Sequence, residues 1–118
     1  MSSSAVKRKL SGSTDGKAIK VGASPATTIH TAVSGQTAGT FDEIWLWAFN
    51  SHSADVVLTI QFGGTSTPDD DCKVTIPFQS GWVPVVPGFL LQNGLVVKAY
   101  AATADVITLS GFVNSITD

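Results

Sequence analysis

Apolar residues along this chain recur at every second position, and no window of useful length carries them at helical spacing. Residues 56–62 set Val56, Leu58, Ile60 and Phe62 in alternation with Val57, Thr59 and Gln61, the pattern of a strand buried on one side. Residues 72–78 repeat it, with Cys72, Val74, Ile76 and Phe78 opposite Lys73 and Thr75, which predicts a buried thiol at Cys72. The stretch 41–50, FDEIWLWAFN, breaks the rule, because Ile44 to Phe49 contain no polar residue. As a strand it carries Ile44, Leu46 and Ala48 on one face and the rings of Trp45, Trp47 and Phe49 on the other. Both faces then need cover. Either the protein has an unusually aromatic core, or one face fills the core and the other meets a second molecule.

Shorter strands are predicted at 18–21 and 27–32, separated by Gly22, Ser24 and Pro25, and a Gly/Thr/Gln loop at 34–40 leads into the aromatic strand. Residues 82–86 are interrupted by Pro84 and followed by Pro87, so they belong at a sheet edge or a bend. Gln92, Asn93 and Gly94 form a hairpin signal between 89–91 and 95–101, and 106–114 close the chain. A faint internal echo relates Ala48, Phe49, Ala54, Asp55, Val56 to Ala99, Tyr100, Ala104, Asp105, Val106, suggesting two hairpins in related positions. About eight short strands in roughly a hundred residues imply an all-β, single-domain antiparallel β-sandwich, of jelly-roll type. An immunoglobulin-like sandwich is the alternative, although the paired cysteines of that fold are missing.

Composition sharpens two points. With 14% charged and 43% hydrophobic residues, the 118-residue chain has the balance of a folded domain with large shared surfaces. The net charge of −2 conceals an asymmetry: residues 1–20 carry Lys7, Arg8, Lys9, Lys17 and Lys20 against Asp15, 5 − 1 = +4, and the remainder carries Lys73 and Lys98 against eight carboxylates, 2 − 8 = −6. Residues 1–16, rich in Ser and Gly around the basic triplet, read as a flexible N-terminal arm; residues 17–118 form the sandwich domain. The start of the sequence lacks the apolar segment of a secretory signal, and no apolar run is long enough to span a bilayer.

Candidates for chemistry are few. His52 lies among Ser51, Ser53 and Asp55, yet residues in one tight turn do not adopt the geometry of nucleophile, base and orienter. Cys72 is the only cysteine, which rules out an internal disulfide. Asp69, Asp70 and Asp71 supply oxygen ligands of the kind calcium takes, but without the alternate spacing of an EF-hand loop. They read as a solvated loop tip, or as a partner for the basic arm of a neighbouring subunit. No basic stripe interleaved with aromatics supports nucleic acid binding, and no phosphate-binding glycine loop is present. No catalytic, cofactor or metal residue is therefore expected. What remains is surface: Trp45, Trp47, Phe49 and Trp82, together with Phe89 and Tyr100, are the residue types that anchor protein interfaces. Candidate interface residues are Lys7, Arg8, Lys9, Trp45, Trp47, Phe49, Trp82, Asp69, Asp70 and Asp71. Carbohydrate stacking on an exposed tryptophan is the competing use, for which the sequence clusters no polar partners near these rings.

KLSGSTDGKAIKV at 9–21, TTIHTAV at 27–33, DEIWLWAFN at 42–50, VVLTIQFGG at 56–64 and VVPGFLLQNGLVVKAYA at 85–101 resemble small virion proteins of tailed bacteriophages, and most of all their head decoration, or cement, proteins. The resemblance implies a non-enzymatic structural protein on the exterior of the phage head, made in the host cytoplasm. Its partners would be the major capsid protein and further copies of itself, as a trimer, with no nucleic acid and no membrane. A tail, neck or baseplate component and a receptor- or glycan-binding module are the alternatives.

Overall fold

A computed structural model describes residues 4–35 and 39–117. Residues 1–3 of the predicted arm and 36–38 of the predicted loop lie outside the described residues. Among those described there is no helix, and nine strands form two antiparallel sheets. The strands are β1 (Ser4–Lys9), β2 (Ile19–Val21), β3 (Thr27–Thr31), β4 (Thr40–Asn50), β5 (Val56–Phe62), β6 (Asp71–Ile76), β7 (Val83–Leu91), β8 (Val96–Ala101) and β9 (Ile107–Thr117). Sheet A runs β1-β9-β4-β7, with β2 also on β9, and sheet B runs β3-β8-β5-β6.

This order follows from wrapping one long antiparallel ribbon. β2 pairs with β9, β3 with β8, β4 with β7 and β5 with β6, as in a single hairpin closed at the β5–β6 loop. Rolling the ribbon adds the pairs β4–β9 and β5–β8. The product is the jelly-roll sandwich expected from the strand count. Between the sheets lie Ile44, Leu46 and Ala48 of β4, Leu58 and Ile60 of β5, Val97 and Ala99 of β8, and Ile107, Leu109 and Val113 of β9, all buried.

Four sequence expectations are corrected. The flexible arm over 1–16 is, over its described part, a strand and a docked turn: β1 pairs with β9 from Ser4↔Thr117 to Lys9↔Phe112, and Leu10 is in the core. The physical reason is β9 itself. Its edge is covered at Ile107–Leu109 by β2, and from Phe112 to Thr117 it is paired by β1, collinear with β2. The predicted hairpin at Gln92–Gly94 has the expected turn, with φ of 63° at Asn93 and 66° at Gly94 and a Leu95 N–H to Gln92 C=O bond, but it carries the chain from sheet A to sheet B. The segments 82–86 and 89–91 fuse into β7, which does lie at a sheet edge and whose pairing with β4 slips twice. Cys72 is exposed, because β6 is an edge strand on an open flank of the sandwich.

The internal echo also takes a different form. β4→β5 and β8→β9 both cross between the sheets, and the two crossings lie side by side, joined by Ser51 N–H to Val106 C=O and Ala102 N–H to Val57 C=O, each 2.9 Å. They are adjacent arches, not hairpins.

Candidate interaction surface

Antiparallel pairing places directly opposed residues on the same face of a sheet. Trp45 of β4 opposes Phe112 of β9, Trp47 opposes Ser110, and Phe49 opposes Thr108, all on the side of sheet A away from sheet B. Three rings form one stack: Trp45 and Trp47 centroids are 6.2 Å apart, Trp45 and Phe112 6.3 Å, Trp47 and Phe112 6.0 Å, with planes within 27° of parallel. The face continues onto β1, where the Lys7 ammonium sits 4.6 Å from the Phe112 ring centre, a cation–π contact. At the other side Trp82 stands 70% exposed just before β7. It bounds a shallow cleft of about 330 Å³ with Trp47 and Ser110, and a second of about 200 Å³ with Phe49 and Gly81.

Polar side chains hold the stack in place. The Trp45 indole N–H donates to Glu43 Oε1 at 2.7 Å, and Asn114 Nδ2 donates to the same oxygen at 3.0 Å. Those two donors, the indole first, keep the Glu43 carboxyl below its ordinary range against the opposing effect of partial burial. The carboxylate therefore stays charged at the edge of an apolar face. Gly88 of β7 comes close beneath the indole: a Cβ there would lie 2.7 Å from Trp45 Cζ2.

The predicted site residues thus divide. Trp45, Trp47, Phe49, Trp82 and Lys7 are brought onto one face. Lys9 opposes Phe112 and so shares that face, its ammonium donating to Ser13 C=O, whereas Arg8 opposes the inward-facing Val113 and lies on the other face of β1; neither joins an ion pair among the described residues. Asp69, Asp70 and Asp71 are elsewhere, at the β6 edge on the opposite flank from β1. Their loop is tied to itself: Ser66 N–H donates to Asp70 Oδ2 at 3.0 Å and Thr67 O–H to Asp71 Oδ2 at 2.6 Å, while Asp71 Oδ1 is buried with no hydrogen-bond partner. Among the described residues no three His, Cys, Asp or Glu side chains group to hold a metal ion. Phe112, Glu43 and Asn114 were missed by sequence reasoning. For Phe112 and Asn114 the signal was the alternation of β9, which becomes informative only once β9 is known to lie beside β4; Glu43 precedes Trp45 by two residues in β4's own outward row. That placement also brings Glu43, Asn114 and Ser110 around the rings, a polar clustering the linear sequence did not disclose.

A second constellation was not anticipated at all. His30 of β3 and Asp42 of β4 are buried between the sheets with Nε2 and Oδ2 2.7 Å apart. Ser115 O–H donates to Asp42 Oδ1 at 2.7 Å and Val33 N–H to Oδ2 at 3.2 Å. Serine, histidine and aspartate meet here without the relay of acyl transfer: the hydroxyl bonds the carboxylate rather than the imidazole, and His30 Nδ1 is occupied by the Ser11 N–H at 2.9 Å. Among the described residues His52 has its backbone N–H engaged, to Asn50 Oδ1 at 2.8 Å, and its ring bonds none of its serine or aspartate neighbours.

Comparison with known proteins returns no match: no family model, no curated protein and no solved structure is significantly similar to this chain.

Proposed function

We propose that this chain is a non-enzymatic structural protein of a bacteriophage virion, a decoration or cement protein that attaches to the outside of the head through the outer face of sheet A. The observation that carries the reading is that face: a pre-stacked, half-buried row of Phe112, Trp45 and Trp47 on the outside of sheet A, extended by half-buried Phe49 and by Trp82, which is 70% exposed. Rings fixed before binding lose little entropy on docking, and aromatic anchors dominate interface energetics. The sequence resemblance to head decoration proteins supplies the location, with the major capsid protein and other copies of the chain, as a trimer, for partners.

The test is binding of purified protein to expanded, undecorated heads. Burying the exposed part of an indole is worth about 2–3 kcal/mol at ~25 cal/mol per Å². Trp82→Ala, at a position that supports no core packing, should therefore weaken attachment by about tenfold to a hundredfold while the melting temperature stays within a few degrees. Imaging of decorated heads should find copies in groups of three across the shell. Unchanged affinity would remove the aromatic face as the contact. Copies confined to one ring per particle would assign the protein to tail or neck, and isolated single copies would remove the trimer.

A further inference from the structure

We propose that His30 is an acid-sensitive latch for the N-terminal strand: a proton on its Nδ1 expels the Ser11 amide, frees the strap formed by residues 10–13 from β3, and loosens β1 from β9.

Four contacts define the strap. Ser11 N–H donates to His30 Nδ1 at 2.9 Å, Thr31 N–H donates to Ser11 Oγ at 2.7 Å, Gly12 N–H donates to Ile29 C=O at 3.0 Å, and Leu10 is buried in the core. The strap therefore runs from the edge of sheet A, at β1, to the edge of sheet B, at β3, and closes that flank of the sandwich.

The protonation state of the latched form follows from the donors. A backbone N–H can only donate, so Nδ1 must present its lone pair to Ser11. Nε2 then carries the imidazole's one proton and donates it to Asp42 Oδ2. The latched imidazole is neutral, with Nε2 protonated, and both nitrogens are committed. A second proton has one place to go, Nδ1, where it meets the Ser11 N–H head-on. His30 is 4% exposed, so bulk water does not reach the ring to accept either group. Asp42 from β4 is the one charged group bonded to the ring. From β9 the Ser115 hydroxyl bonds Asp42, and on β1, next to the strap, the Lys9 ammonium is engaged with Ser13 C=O. Asp42, bonded at Nε2, favours the imidazolium through its charge; what opposes a proton on Nδ1 in the latched form is the Ser11 N–H that already occupies that lone pair.

The linkage sign is fixed by this geometry. The latched state has no site for the extra proton and the released state has one, so acid favours release. The Ser11 contact is present while the imidazole is neutral and is lost as falling pH puts the second proton on the ring. β1 immediately precedes the strap and is held in place by it. All six residues of β1 are exposed and the strand pairs on one side only, with β9, so it has little else to anchor it. Its departure takes the Lys7 ammonium off Phe112 and uncovers one end of the aromatic stack. The latch does not rest on what that face binds.

Hydrogen exchange on the full chain between pH 7.5 and 5.5, corrected for intrinsic exchange, tests it. Protection of the amides of residues 4–13 should fall by up to about tenfold per pH unit, the limit for one proton, while β5 and β8 amides keep theirs. The fall should share its midpoint with the His30 imidazole ¹⁵N titration, persist in His52→Gln, and vanish in His30→Gln, which retains an amide donor towards Asp42 and cannot charge. Constant protection across the range overturns the proposal, as does an imidazolium at His30 at pH 7.5 or an undiminished fall in His30→Gln. Should His30→Gln not fold, the wild-type curves decide: a midpoint that tracks His52, or neither imidazole, overturns it.

Discussion

Trp45 is the residue on which the outer face depends, and three neighbours fix it: Glu43 at the indole nitrogen, Phe112 against the ring, and Gly88 beneath. Gly88 has φ of +84°, a conformation side chains resist, and a Cβ there would sit 2.7 Å from Cζ2 and 3.0 Å from Cε2 of the indole. Gly88→Ala should cost about 2–4 kcal/mol in urea unfolding, combining backbone strain with the displaced ring. Gly16→Ala separates the two contributions, since Gly16 has a similar φ of +82° and nothing within 4 Å of the added methyl, so about 1–2 kcal/mol is expected. Equal losses at the two positions would show that Trp45 is not seated on Gly88. At this scale the sequence was legible for Trp45, Trp47 and Phe49, because alternation along one strand assigns faces. It was silent on Phe112 and Gly88, which join the site by pairing with β4 from neighbouring strands.

Strands were readable where side chains alternate and unreadable where only backbone matters. SAVKRK has no apolar alternation, and β1 nevertheless forms, because the edge of β9 beyond β2 presents unpaired amides. Turn chemistry was read correctly at Asn93–Gly94, but a turn does not say whether the next strand pairs in the same sheet or crosses to the other. The distinction between β1 and the strap predicts two different truncations. Removing residues 1–9 takes away exposed side chains and a one-sided ladder, so the sandwich should stay folded with a modest loss, about 1–2 kcal/mol. Removing residues 1–16 also deletes Leu10 from the core and takes away the strap's hydrogen bonds to His30, Ile29 and Thr31, adding about 3–5 kcal/mol. Chemical denaturation of both truncations measures the gap; a free arm over the whole of 1–16 would give no gap.

Across the whole molecule, β4 braces one sheet against the other. Its inward row reads Asp42, Ile44, Leu46, Ala48, Asn50, three apolar residues between two buried polar ones. Asp42 reaches His30 on β3, and Asn50 Nδ2 donates to Ile76 C=O at the end of β6, 2.8 Å, and to Ala54 C=O, 3.0 Å. β3 and β6 are the two opposite edges of sheet B, so the braces run diagonally from the ends of one strand to the far corners of the facing sheet. Apolar packing alone tolerates small slides between sheets, whereas directional bonds at both ends fix the stacking that presents sheet A's outer face. The FDEIWLWAFN stretch announced its two apolar faces in the sequence; the braces at its ends were hidden, since each needs a partner on the other sheet. Asp42→Asn keeps the shape but loses an acceptor facing three donors, and Asn50→Ala strands two carbonyls, so each should cost about 2–4 kcal/mol. The two sites share no partner and lie about 26 Å apart along the strand, so the double variant should lose the sum within about 0.5 kcal/mol. That total approaches the stability of an ordinary domain, and the double variant should sit near the edge of folding. Urea midpoints at constant m-value test the additivity. A double variant no worse than either single one would mean that the braces fail as one unit, and that β4 does not hold the two ends of the sandwich independently.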